Sequence, residues 1–163
     1  MKYFSIDADT EKNGVACFDT DTKKLSLHVL NFAQLFSKLE QFHKEKTDVL
    51  ILLENCWENK HDYHDRTDIK HPHFYFTLGA DVGRVQGVGM CVNELLNIFQ
   101  LKHELIRPLP KIWNELKDRK ISRNELENLC KNCGVELLNN QKSNKDMRDA
   151  ALLIINHIYH IFK

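Results

Sequence analysis

The sequence predicts a mixed α/β domain spanning residues 1–163, with a five-stranded sheet flanked by helices. Three of the strands form an antiparallel meander and two run parallel. Three observations point there: short apolar runs recur near the N-terminus, the stretch VLILLE (49–54) shows no polar alternation, and apolar spacings of three and four dominate the second half.

Residues 2–8 and 14–19 are short and apolar-rich. In KKLSLHVL (23–30), Leu25, Leu27 and Val29 alternate with Lys24, Ser26 and His28, the period of a half-buried strand. Three such segments in succession make the meander. AQLFSKLEQFHKEK (33–46) sets Leu35, Phe36, Leu39 and Phe42 at helical spacing. VLILLE follows and, apolar on both faces, is expected at the centre of the sheet. Residues 55–78 carry many His, Asp and aromatic side chains without a clean period and are expected to form a long loop. A helix is predicted from Gly79, with further glycines at 83, 87 and 89 and then Val92, Leu95, Leu96 and Phe99. Its glycine spacing fits neither GxGxxG nor GxxxxGK[ST], so close packing explains it better than a phosphate cradle. Gly83 and Gly87 share one face, open to a neighbouring helix or a DNA backbone. HELIRPLP (103–110) is a further strand stopped by Pro108 and Pro110, while KIWNELKDRK (111–120) and SRNELENLCKNCG (122–134) are two short helices, the second closed by Gly134. The last helix, NKDMRDAALLIINHIYHIF (144–162), is capped by Asn144.

At 19.2 kDa the chain is long enough to bury about two-thirds of its unfolded surface without disulfides or metals. Hydrophobic residues at 42% and charged residues at 28% exclude a disordered chain, and no apolar run approaches the roughly 20 residues of a membrane span. MKYFSIDADT leads straight into a strand with no basic-then-apolar leader, so a cytoplasmic location is expected. Five cysteines scattered through apolar segments suit reduced thiols packed as small hydrophobes. Cys130 and Cys133 are spaced CxxC, but no second pair of zinc ligands lies nearby, and successive helix turns account for them.

Net charge is zero, yet it is unevenly spread. Residues 1–101 hold 11 Lys and Arg against 15 Asp and Glu, a net −4, and residues 102–163 hold 12 against 8, a net +4. Lys111, Lys117, Arg119, Lys120 and Arg123 cluster beside Trp113, a grouping able to neutralise phosphates while an aromatic stacks. Charge alone does not separate that from a solvated helix face. The polar stretch offers His61, His64, His71 and His73 with Asp62, Asp65 and Asp68, but no zinc spacing. A substrate loop with Trp57, Tyr63 and Phe74 available for stacking fits it better. His157 and His160 suit a helix surface or core.

Acids mark three element ends. Asp7 and Asp9 close the first strand, Glu54 closes VLILLE, and Asp146 and Asp149 project from one side of the last helix's first turns. Acids at a helix start also serve the macrodipole, and Asp9 is best explained by turn chemistry.

The ordered set resembles the RuvC-type Holliday junction resolvases of the ribonuclease H-like superfamily. It comprises Asp7 with Gly14 seven residues on, Glu54, a glycine-bearing helix, and D-x-x-D-A at Asp146, Asp149 and Ala150. The likeness covers nearly the whole chain, although Ala8 and Asp9 stand where that family commonly has Pro and Gly. It implies a ribonuclease H-like fold and a magnesium- or manganese-dependent endonuclease that cuts branched DNA by a two-metal-ion mechanism. Asp7 would bridge two ions, with Glu54, Asp146 and Asp149 completing their shells. Lys111, Lys117, Arg119, Lys120 and Arg84 would hold DNA phosphates, and a homodimer would match the two-fold junction. The apolar residues Val92, Leu95, Leu96 and Phe99 would serve either that interface or the monomer's own core. Two carboxylates about 4 Å apart repel by roughly 4 kcal/mol at an effective dielectric near 20, so converging acids call for cations. Hard divalent ions with oxygen ligands supply them. The alternative is a non-catalytic ribonuclease H-like module that binds nucleic acid or protein. A small actin-like ATPase fails, because its second phosphate hairpin and adenosine loop are missing.

Overall fold

Residues Val49 to Leu53 of β4 (Val49–Glu54) are all buried, and the strand's two faces serve two different cores. Leu50 and Leu52 join one cluster, while Val49, Ile51 and Leu53 join the other, as the two-residue period of a strand dictates. A sheet with both faces covered follows. The structure, a computed structural model, describes residues 1–58, 72–109, 112–113, 116–117, 120–138 and 143–161.

The strands β1 (Lys2–Asp7), β2 (Asn13–Asp19) and β3 (Lys24–Leu30) form the expected antiparallel meander. Helix α1 (Phe32–Glu45) follows, its start closed by a capping box between Asn31 and Gln34 and its end by Lys46 in the left-handed region. Leu35, Leu39 and Phe42 form its buried face, while Phe36, 38% exposed, packs edge-on against Phe99. After β4 come α2 (Pro72–Ile98), β5 (His103–Ile106), a two-residue hairpin of β6 (Ile112–Trp113) and β7 (Leu116–Lys117), α3 (Arg123–Asn132), β8 (Glu136–Leu137) and α4 (Lys145–Tyr159). The sheet order is β5-β4-β1-β2-β3-β8, with β4 parallel to both β1 and β5, and β8 parallel to β3.

Helices α1 and α2 cover one face around Phe4, Ile6, Val15, Ile51 and Leu53. Helices α3 and α4 cover the other around Ala16, Phe18, Leu25, Leu52 and the Ala150–Ile155 run. Val92 and Leu96 are completely buried against α1 and the sheet, so the apolar face of α2 belongs to the monomer's core.

Four expectations are corrected. Helix α2 begins at Pro72, a good first helical residue, so the polar stretch ends seven residues earlier than expected. The segment read as a helix from 111 to 120 contains the β6–β7 hairpin, where Ile112 and Trp113 are strong strand formers two residues from Leu116. A sixth strand, β8, adds to the sheet: Gly134, at φ +67°, turns the chain after α3 so that Glu136 and Leu137 pair with Lys24 and Leu25. Lastly, a Cβ on Gly83 or Gly87 would meet nothing within 4 Å, whereas one on Gly89 would meet Cys56 Sγ at 2.9 Å and the Trp57 ring at 3.0 Å. The close approach of α2 is therefore to the chain just beyond β4.

Candidate active site

Strand parity sets the first two acids. On β1, Phe4 and Ile6 face α1 and α2, leaving Tyr3, Ser5 and Asp7 on the α4 side. On β4 the same alternation puts Glu54 on the side of Leu50 and Leu52. The parallel register pairs Ile6 with Leu53, so the next residues, Asp7 and Glu54, end their strands side by side. Burial raises the Asp7 carboxyl, and Glu54 is close enough for its charge to raise it further.

Helix α4 brings the second pair. Asn144 caps it as expected, accepting a hydrogen bond from Met147 N at 2.8 Å. Its small residues Ala150 and Ala151 are fully buried, and Ser5 Oγ donates to the Ala150 carbonyl at 2.6 Å across the interface. Gly14, paired with Asp7 in the β1–β2 ladder, completes the fit. A Cβ there would lie 2.3 Å from the backbone carbon and oxygen of Asp146 and 2.8 Å from Met147 N. Only a glycine admits the first turn of α4 this close to the strand end.

Lys120 enters from the segment ahead of α3. Its ammonium donates to Asp149 Oδ2 and lies 3.9 Å from Asp146 Oδ1. Arg148 fixes the backbone nearby, donating from Nε to the Ile121 carbonyl at 2.7 Å and from a terminal nitrogen to the Ser143 carbonyl at 2.5 Å. Lys120, expected to hold DNA phosphates beside the acidic centre, pairs here with Asp149 and Asp146 and keeps about a third of its side chain exposed. Its distance from Asp146 and Asp149 in sequence hid that. Arg148 and Ser5 carry no chemical signature in the sequence.

The electrostatics follow from this crowding. Burial pushes the Asp7 carboxyl well above the usual carboxylate range, Glu54 and Asp149 push it further, and Lys120 pulls it back. Burial also raises Asp146, against Lys120 and Lys145 and with help from Asp9 and Asp149. For Lys120, burial opposes the charged form, but the hydrogen bond to Asp149 and the charges of Asp149, Asp7 and Asp146 outweigh it, and its pKa rises. Asp9 itself behaves as a turn residue: its Oδ1 accepts from Thr10 N and, at 3.0 Å, from Thr10 Oγ1.

As they stand, no three His, Cys, Asp or Glu side chains among the described residues are arranged to hold one metal ion. The donor chemistry nevertheless suits a hard cation. Two carboxylates, Asp146 and Asp149, flank one ammonium, and burial with the charges of Glu54 and Asp149 raises the Asp7 carboxyl although Lys120 opposes them.

The other candidates scatter. Arg84 is exposed and pairs with Asp81 one turn away at 3.2 Å. Arg123 pairs with Glu127 at 2.6 Å. Lys111, Arg119 and residues 59–71 of the polar stretch lie outside the described residues, as do the side chains of Lys117, Trp113, His73 and Phe74. His157 lies 3.7 Å from Glu104 and packs against Tyr3, and His160 ends α4 in the left-handed region. Cys130 is buried in the core, where burial and then Cys133 push its thiol up to about 12, making it a poor nucleophile or ligand. Among the described residues, no helix is long and apolar enough to cross a membrane.

No known family pattern matches the chain, and no curated protein sequence matches it. Solved structures do. Thermus thermophilus RuvC in complex with a Holliday junction substrate superposes over 98% of this chain and 94% of that one, with a TM-score of 0.53 at 13% sequence identity. A second T. thermophilus RuvC structure covers 98% of this chain and 95% of its own, with a TM-score of 0.51 at 11% identity. The chain has the ribonuclease H-like fold seen in RuvC. At these identities the likeness is one of fold.

Proposed function

We propose that the chain is a metal-dependent endodeoxyribonuclease that hydrolyses phosphodiester bonds in branched DNA, as a Holliday junction resolvase does. One observation carries the proposal: Asp7 and Glu54 end neighbouring parallel strands side by side, with Asp7 in the field of Glu54 and Asp149, on a RuvC-like fold. In open α/β sheets that end of the strands is where ligands bind.

In this proposal Asp7, Glu54, Asp146 and Asp149 hold two magnesium or manganese ions. Such ions, when bound, polarise a phosphodiester and lower the pKa of water. The protein's own part is to fix the acids on rigid elements, two strand tips and a helix start. Burial and the Glu54 charge raise the Asp7 carboxyl, and added positive charge would favour its ionised, metal-binding form. Lys111, Lys117, Arg119, Arg84 and, once released from Asp149, Lys120 would meet DNA phosphates, and a homodimer would present two sites to a two-fold substrate.

A non-catalytic module is the second possibility, favoured by the ion pair that Lys120 makes with Asp149. One experiment separates them. The protein and its Asp7→Asn variant are incubated with labelled four-way junction, linear duplex and RNA–DNA hybrid, in magnesium or EDTA. Cleavage confined to the junction, dependent on magnesium and lost in Asp7→Asn, is the expected result. Junction binding without cleavage supports the module, and equal nicking by wild type and variant overturns the assignment of Asp7.

A further inference from the structure

Among the described residues, Lys120 supplies the one ammonium within ion-pair distance of Asp146 and Asp149 at the start of α4. It is bonded to the same Asp149 carboxylate and faces the same Asp146 carboxylate that a divalent ion would need. We propose that Lys120 is an internal counter-ion that competes with divalent metal for Asp149 and Asp146, so that metal entry requires its release. The inference rests on the metal-binding proposal above and adds to it what opposes the metal.

Position and mobility both support the exchange. The backbone that follows the lysine is held: Ile121 is buried and its carbonyl is bound by Arg148, and Ser122 caps α3. The lysine side chain beside these anchors has four rotatable bonds and is 34% exposed, so it can leave towards solvent while they stay. A carboxylate oxygen engaged by an ammonium is not free to ligate an ion, and an ammonium left a few ångströms from a dication repels it strongly in a part-buried site. Removing that charge frees Asp149 and makes the cluster more negative. Without metal, the same removal leaves the acids uncompensated.

Two measurements on the full chain test this: Mn2+ binding by electron paramagnetic resonance, and thermal unfolding in EDTA and in Mn2+. Wild type is compared with Lys120→Gln, Lys120→Arg and Asp7→Asn. Lys120→Gln should bind Mn2+ about tenfold tighter or more, since the loss of one nearby like charge contributes at least a factor of this order. Lys120→Arg, which keeps the charge, should remain near wild type. In EDTA the Gln variant should melt below wild type, and Mn2+ should close the gap, because ligand binding to the native state raises its stability. Equal or weaker Mn2+ binding by Lys120→Gln, with wild type binding normally, overturns the competition and leaves the metal site standing. Absence of binding in both wild type and Lys120→Gln, or unchanged binding in Asp7→Asn, overturns the metal site and the inference together.

Discussion

Replacing Gly14 with alanine would force a methyl group into the contact that delivers α4 to the strand tips. The new Cβ would lie 2.3 Å from two backbone atoms of Asp146 and 2.8 Å from Met147 N. No rotamer change relieves a clash with main chain, so the helix start itself has to retreat. Restoring ordinary contact requires a movement of about 1 Å, which strains the 2.6 Å hydrogen bond from Ser5 to Ala150 and loosens the buried alanines beside it. Overpacking costs about 1–3 kcal/mol and a weakened buried hydrogen bond about 1 kcal/mol more, giving a loss of roughly 2–4 kcal/mol. For a chain of this size that lowers Tm by roughly 4–16 °C, at about 2–4 °C per kcal/mol. Reduced chain entropy in the unfolded alanine variant opposes this by no more than about 1 kcal/mol. Circular dichroism melts of wild type and Gly14→Ala in EDTA measure the difference, and Mn2+ titration of the folded variant should show weaker binding as Asp146 and Asp149 draw back. A Tm within about 1 °C of wild type, with unchanged Mn2+ binding, would refute the packing argument.

The metal-free protein should lose stability as pH rises from the unfolded carboxylate value of 3.8 through the raised value of folded Asp7, because the native state binds that proton more tightly. Asp7→Asn should therefore melt higher than wild type at neutral pH in EDTA and show a flatter dependence of Tm on pH; parallel curves would contradict the burial of Asp7 beside Glu54. Gly83→Ala is the opposite case to Gly14→Ala. The residue is exposed, helical and free of neighbours within 4 Å, so the substitution should stabilise by about 1 kcal/mol through helix propensity, read as a Tm increase, and a decrease would mean that another chain covers this face.

Periodicity made most of the architecture legible. The meander, the buried central strand, the cap at Asn144 and the glycine after α3 all rest on patterns within a few residues, which local sequence can express. What it could not express was short or remote. β8 is two residues long and exists because β3 offers it an edge, and the β6–β7 hairpin is equally short. The packing of Gly14 depends on a helix more than a hundred residues away, so the sequence alone marks the glycine without its reason. Lys120 looked like its basic neighbours. Only the fold turns it inward to Asp149.

The convergence of the acids has a simple geometric cause, which lies between these extremes. A strand alternates its side chains, so each acid at a strand tip has an even chance of facing either core, and Asp7 and Glu54 must agree. Agreement follows from the parallel register: paired residues in neighbouring parallel strands point the same way, and the Ile6–Leu53 pair fixes that of Asp7 and Glu54 one step on. A parallel pair also ends at one edge, which an antiparallel pair would not. Helix α4 then crosses the face that these two acids share, and the three-residue spacing of Asp146 and Asp149 keeps both near the strand ends. Shifting β4 by one residue against β1 would break the adjacency of Asp7 and Glu54 and turn one hydrophobic face of the strand out of its core. The same burial that fixes the two cores therefore fixes the acid cluster, and a substitution that weakens the core around Leu50 and Leu52 should disturb the electrostatics of Asp7 before it unfolds the chain.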